Sequence, residues 1–371
     1  MRNSLSVLVL ALIVVACADP AASLTPDVAT PSIAPTMAES APPSAARATS
    51  TPTPEPTPSA TPEPIAWQAL EVTGPGARED HTWTADPSTG VAYLFGGRDG
   101  TTVFGDLWAY DLEADAWTEL AQTAPPEPRF GHEAVWVDGI GLVIFSGQSG
   151  PNFFNDLWAF DPEAETWVEL QATGDVPVAR YGSCASIGSD GRLWISHGFT
   201  SDGTRFNDTL AYDFDSGAWA DETPDGDLPV NRCLHGCWWT DDGTLALFGG
   251  QTTGVVALDD RWSLADGEWT RVEGTAPPDR NLYARARVGG ATLIFGGQAL
   301  DSSFLNDAWL LSDGEADAAP IEIKGPMPPG RAGAEIVADA ARNRVVLFGG
   351  RDADGGLADT WALTGVTFGG E

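Results

Sequence analysis

The sequence predicts an all-β fold: a six-bladed β-propeller of four-stranded blades, closed by its N-terminal strand. Three observations predict it. A pair ending in glycine follows an apolar run at Gly96-Gly97, Ser146-Gly147, His197-Gly198, Gly249-Gly250, Gly296-Gly297 and Gly349-Gly350, in steps of 50, 51, 52, 47 and 53 residues. Each period holds four short apolar runs parted by turn signals, as in "RFGHEAVWV", "GLVIFSG", "DLWAFD" and "TWVEL". Four strands per period of this length, repeated around an axis, is the pattern of a propeller. The third observation lies at the start of the repeats. Residues 66–78, "AWQALEVTGPGAR", match the tails of later repeats, "AWTELAQTAPPEPR" and "TWVELQATGDVPVAR". The last repeat ends "TGVTFGGE" and has no such strand. The strand around Trp67 is therefore expected to complete the last blade, which removes the open edges of the array.

The segments before the repeats read differently. "MRNSLSVLVLALIVVAC" has a basic start at Arg2 and an apolar run from Val7 to Ala16, too short to span a bilayer. Residues 1–17 are expected to be a signal peptide. The ending Val14-Val15-Ala16-Cys17 resembles a bacterial lipobox, so Cys17 is the expected site of lipidation. Residues 18–65 hold twelve prolines among Ser, Thr and Ala and almost no large apolar residue. They are expected to remain unfolded as a tether. At about 3.1 Å per residue such a chain reaches on the order of 150 Å. The domains are thus 1–17, 18–65 and the propeller 66–371, with an address on the extracellular face of the bacterial envelope and membrane attachment through the lipid alone. A monomer is expected.

Charge narrows the partners. The chain has 53 acidic and 19 basic residues. Five acids and two bases lie in 1–65, leaving 48 acids and 17 bases, a net of −31, in the remainder. That surface repels phosphate backbones and anionic headgroups, so nucleic acid is not an expected partner.

Within each repeat an Asp precedes an aromatic or aliphatic residue by two, at Asp106/Trp108, Asp156/Trp158, Asp208/Leu210, Asp260/Trp262, Asp307/Trp309 and Asp359/Trp361. A second Trp follows at Trp117, Trp167, Trp219 and Trp269, with Ile321 as the degenerate copy. Most of these residues read as structural. Glycines allow close backbone approach, tryptophans fill the space between sheets, and aspartates bond turn amides. At the paired glycines, the Asn-Asp-x-Trp runs (Asn155-Asp156, Asn306-Asp307) and the second Trp, residues 66–371 resemble the kelch family, in the group related to the central domain of galactose oxidase.

The arginines carry the functional reading. Arg78, Arg129, Arg180, Arg232, Arg280 and Arg331 recur at the start of each first strand. A meander brings that point to the same rim as the residues after each glycine pair, Arg98, Gln148, Phe199, Gln251, Gln298 and Arg351. In kelch propellers with known ligands this rim forms the pocket, so the resemblance implies a binding site there. A carboxylate, sulfate or acidic side chain suits bidentate arginine, and the glutamines suit a sugar. The alternative is that each Arg bonds loop carbonyls and holds the blades. The expected function is a non-catalytic module that binds a protein or glycan, anionic in character; the alternative is a carbohydrate-active enzyme, oxidase or epimerase-like.

No catalytic residue, metal or cofactor is expected. His81, His132 and His235 stand three residues after their Arg, with Tyr283 in the same place. They lie on the opposite pleat face and in separate blades, which favours hydrogen bonds between blades over a metal. The copper site of galactose oxidase cannot be mapped onto five Tyr and four His. Of the remaining cysteines, Cys184 and Cys237 lie in adjacent first strands, at offsets of four and five from their Arg. Facing sides of neighbouring blades need opposite parity and equal height. A Cys184–Cys237 disulfide is expected, with Cys233 free.

Overall fold

The computed structural model describes residues 64–368. The signal peptide, Cys17 and nearly all of the tether lie outside the described residues. The repeats form six sheets of four antiparallel strands, and that of blade 3 gains a short fifth strand, Thr173–Gly174, parallel to Ala218–Asp221. In chain order the first strands are Thr82–Asp86, Glu133–Val137, Cys184–Ile187, Gly236–Trp239, Ala284–Arg287 and Glu335–Asp339. Neighbouring innermost strands pack against one another at five junctions, including Glu335–Asp339 against Thr82–Asp86, and at the junction of blades 4 and 5 the Tyr283 hydroxyl accepts the Gly236 N–H, so the ring is closed. The second strands, such as Val91–Phe95 and Gly141–Phe145, are buried on both faces and read as unbroken apolar runs.

The sixth blade takes its fourth strand from the other end of the chain. Ala66–Leu70 pairs antiparallel with Thr360–Thr364, placing Trp67 opposite Leu363. The same register sets Trp117 opposite Tyr110, Trp167 opposite Phe160, Trp219 opposite Tyr212 and Trp269 opposite Leu264. All five indoles are buried. Blade 5 departs from this pattern, and not at Ile321. Its outer strand is only Ala319–Pro320, and pairing of Ala319 with Leu310 brings Ala318 level with Leu311. Ala318 therefore stands where the other blades carry Trp. Trp238, from the inner strand of blade 4, packs into the same cluster with Phe248, Leu311 and Ala318. The large side chain is supplied from the opposite side of that interface.

The inner ends of the blades are joined by a ring of backbone bonds. Two residues after each arginine stand Asp80, Gly131, Gly182, Leu234, Leu282 and Gly333, all with φ between 51° and 64°. Each donates its N–H to the carbonyl of its counterpart in the preceding blade: Asp80 to Gly333 (2.9 Å), Gly131 to Asp80 (2.8 Å), Gly182 to Gly131 (3.1 Å), Leu234 to Gly182 (2.8 Å), Leu282 to Leu234 (3.1 Å) and Gly333 to Leu282 (2.8 Å). These six bonds form a closed ring around the axis. The left-handed conformation turns each amide along the circle rather than into its own sheet, at a steric cost for Asp and Leu.

Cys184 and Cys237 are joined, with a Cα separation of 5.6 Å, and Cys233 is free and buried. The bridge ties blades 3 and 4 within one apolar cluster. The expectation for the histidines holds in part. His132 Nε2 lies 2.9 Å from Thr82 Oγ1 of the preceding blade. His81 instead packs edge-on against Phe348, and His235 against His197. Tyr283, at the same offset, donates to the Phe248 carbonyl and accepts from the Gly236 N–H of blade 4.

Burial first, and then a neighbouring arginine, pushes His81 down to about 3. Burial likewise pushes His197 to about 3 and holds His132 and His235 well below the ordinary imidazole value.

Two predictions follow from this architecture. Deleting residues 66–70 exposes an apolar sheet edge, and the chain should aggregate or lose cooperative unfolding; Trp67→Ala should cost about 3–5 kcal/mol in urea titrations. Stability should also fall on acidification. The histidine pKa values are lowered in the fold, so the unfolded chain binds protons first as pH drops below about 6.5, and folded stability is lost progressively toward pH 3. The carboxyls of buried Glu79 and half-buried Glu133 and Glu335, raised by desolvation to about 7, 8 and 7, act oppositely between about pH 4.5 and 8. The steepest loss is therefore expected below pH 4.5, which urea midpoints measured at a series of pH values would check.

Candidate functional site

Strand directions place the starts of the first strands, the ends of the second and the starts of the third on one face. The loops between second and third strands complete it. This loop face surrounds the end of the axis closed by the amide ring.

The six repeat arginines are on this face but beneath its surface. All are 0–1% exposed. Each makes the same set of bonds. In blade 2, Arg129 Nη1 and Nη2 donate to Asp156 Oδ1 (2.7 Å) and Oδ2 (2.9 Å), Nη1 also to the Ser146 carbonyl (2.9 Å), and Nε to the Glu127 carbonyl (3.1 Å). The pairs Arg78–Asp106, Arg180–Asp208, Arg232–Asp260, Arg280–Asp307 and Arg331–Asp359 repeat it. One guanidinium thus binds the start of its first strand, the end of the second and the start of the third. The reading of Arg78, Arg129, Arg180, Arg232, Arg280 and Arg331 as ligand residues is corrected: their donors are taken by carbonyls and a carboxylate within the blade, and their charge is balanced there.

The aspartates are corrected with them. They accept the arginine forks rather than turn amides. The second Asp oxygen also accepts the indole N–H two residues on: Trp108 to Asp106 (2.7 Å), Trp158 to Asp156 (2.8 Å), Trp262 to Asp260 (2.7 Å), Trp309 to Asp307 (2.7 Å) and Trp361 to Asp359 (2.6 Å). This explains the Asp-x-Trp spacing. Burial would raise the Asp106 carboxyl, but the bonds and charge of Arg78 and the Trp108 indole hold it below the ordinary value.

The residues after the glycine pairs have mixed roles. Arg98 reaches Glu79 (3.2 Å) and Asp80 (3.0 Å) and lies over the Phe130 ring at 4.4 Å. Arg351 pairs with Glu79 at 2.5 Å and lies over Phe304 at 5.0 Å. Asp80 also accepts the Tyr181 hydroxyl (3.1 Å). Both arginines are therefore half-buried and neutralised by two acids. Desolvation, reinforced by Asp80, raises the Glu79 carboxyl to about 7. Gln148 and Gln298 donate to loop carbonyls of Gly150 and Ser302, and the Gln251 amide lies 3.6 Å from Cys233 Sγ. Phe199 contacts Tyr181 and Phe153 edge-on.

One cation that sequence reasoning did not single out differs from these. Arg205, in the loop before the third strand of blade 3, has no carboxylate within ion-pairing distance among the described residues. Its Nη1 is 3.4 Å from Thr253 Oγ1, its Nε is buried without a partner, and its guanidinium lies 5.8 Å from the Phe199 ring centre. Asn231 fixes the loop by donating to the Arg205 carbonyl at 2.7 Å. On the same loop face Val178, Val230, Val255, Val256 and Leu300 are exposed. The only signal in the sequence was an Arg off the repeat register. The arrangement offers an unpaired guanidinium and spare amide and hydroxyl groups amid apolar side chains.

Replacing Arg129 with alanine should leave Asp156 unpaired and cost about 3–5 kcal/mol of stability. Arg129→Lys should recover only part of that, because an ammonium cannot span two carboxylate oxygens and a carbonyl in one plane. Urea unfolding of the two variants decides this; an unchanged midpoint for Arg129→Ala would refute the structural role.

The Kelch-repeats domain described for KLHDC2, KLHL20 and DRC7 matches this chain over residues 61–250 and 221–368. Those two matches together span the repeats, the arginine–aspartate clasps and the loop face. The chain belongs to the kelch-repeat β-propeller family.

Proposed function

We propose that this propeller is a protein-binding module of the bacterial cell surface, anchored by a lipid at Cys17 and held off the membrane by the tether of residues 18–65. Kelch propellers generally bind proteins, and membership of that family supports this reading. The partner segment is acidic and carries apolar side chains. The observation that carries this reading is Arg205, a cation without an acidic partner set among exposed Val230, Val255 and Val256 on a domain that is otherwise strongly acidic. Exposed apolar side chains on the same loop face as an unpaired charge suit docking of a partner. An acidic partner meets repulsion nearly everywhere else, so the charge pattern also selects orientation. The glycine-pair residues Phe199 and Gln251 belong to the surface, whereas the repeat arginines support it from below.

Selection of displayed random peptides on the full propeller should enrich acidic sequences with interspersed apolar residues. Arg205→Glu should weaken the selected peptides by about 1.5–3 kcal/mol while leaving the melting temperature nearly unchanged. Binding indifferent to Arg205→Glu and to Val256→Asp would remove the loop face from the function. In cell fractionation, Cys17→Ser should move the protein out of the membrane fraction.

A further inference from the structure

The central channel contains charged groups that the loop face does not use. Arg285, on the inner strand of blade 5, extends toward Glu133 of the opposite blade, with Nη2 3.8 Å from Oε2. Glu335 of blade 6 borders the same cavity as Arg285 and Glu133. Blade 4 makes room for this crossing with glycine. A Cβ on Gly236 would sit 3.0 Å from Arg285 Cδ and 2.5 Å from the Tyr283 hydroxyl, and the corresponding residue in other blades is Thr82, Glu133, Cys184, Ala284 or Glu335.

The hydrogen-bonding capacity of these groups is almost unmet by the protein. Among the described residues, neither the Arg285 guanidinium nor the Glu335 carboxyl has a side-chain hydrogen bond. Glu133 has Arg285 at 3.8 Å and the Ala185 amide. Ser183, 1% exposed, lines the same channel with its Oγ unpartnered. These charges are half-buried, Arg285 and Glu133 at 22% and 17% side-chain exposure, and they take their hydrogen bonds from what fills the space between them. That space is a cavity of about 160 Å³ bounded by Thr82, His132, Glu133, Arg285 and Glu335. It is large enough for several waters or one small polar molecule. The amide ring closes the end toward the loop face. At the other end a mouth of about 410 Å³, walled by Trp136 and Trp239, shares Thr84, Ala134 and Arg285 with the cavity and supplies an entry.

We propose that the channel is a binding site for a small zwitterion, a free α-amino acid, whose carboxylate is taken by Arg285 and whose ammonium lies between Glu133 and Glu335. One guanidinium facing two carboxyls matches a molecule with both charges a few ångströms apart. A simple anion meets two repelling groups and a simple cation meets one. The Thr82 hydroxyl, which also meets His132 Nε2, borders the cavity and can add a further bond. Burial raises both carboxyls, so an ammonium arriving between them substitutes for a proton.

The test is calorimetric titration of the full chain with glycine, alanine, serine and the other standard amino acids, against ethylamine and propionate as single-charge controls. Saturable binding of at least one amino acid, at least tenfold tighter than either control, is expected. Arg285→Met and Glu335→Gln should each weaken it at least tenfold. Melting of the wild type, raised by the same amino acid and not by the controls, provides a reading that does not depend on either variant folding. No heat and no melting shift with any amino acid would overturn the proposal. So would a control binding as tightly as the zwitterions, or binding that survives both substitutions in folded variants. The peptide selection on the loop face addresses different residues, so either result stands without the other.

Discussion

The arginine that opens each blade is the interaction on which the other features rest. Its fork holds the start of the third strand through an aspartate and the end of the second through a carbonyl, while its backbone begins the first. Three strands are thereby brought to one level. The second residue after it turns into the left-handed region and delivers an amide to the neighbouring blade. Without the clasp the turn has no fixed origin, and without the turn the blades have no common inner contact. Taking a guanidinium out of water costs several kcal/mol, so the arrangement is favourable only because the charge and the plane of the fork are both satisfied. It follows that these arginines cannot also serve a ligand.

Periodicity made the blade count, the strand pattern and the completing role of the Trp67 segment legible, because each depends on which residues repeat. The cysteine pairing was legible for a related reason: parity and height along a strand are countable. The purpose of the repeated arginine was not. A meander puts Arg129 and Asp156 on one rim, but a sequence shows only that both recur there, not that they face each other. The Asp-x-Trp motif held the missing information, since an aspartate aligned with an indole N–H two residues on has one oxygen already directed and the other set toward the fork. Departures from the repeat carried what was specific. Arg205, Arg285 and Gly236 each sit where the other blades have something else, and periodic reading passes over such residues.

The interior combines two opposed electrostatic demands. Burial holds the imidazoles between blades uncharged, whereas arginine and indole bonds hold the carboxyls of Asp106, Asp156, Asp260, Asp307 and Asp359 below the ordinary value, in the charged form. Acid therefore attacks the interfaces between blades and the clasps within them together. The disulfide between blades 3 and 4 crosses one of these interfaces and does not respond to pH.

The exchange of Ala318 against Trp238 has a consequence for how such a chain can change. Five interfaces receive their indole from the outer strand of the later blade, so those blades present compatible surfaces. The junction of blades 4 and 5 receives it from the inner strand of the earlier blade. A copy of blade 4 placed before any other blade would bring two tryptophans into one space, and a copy of blade 5 placed after any other would bring none. The two are thus inherited as a unit. A duplication, loss or shuffling of single repeats that parted them would leave either a clash or a void, so this junction fixes the order of the ring.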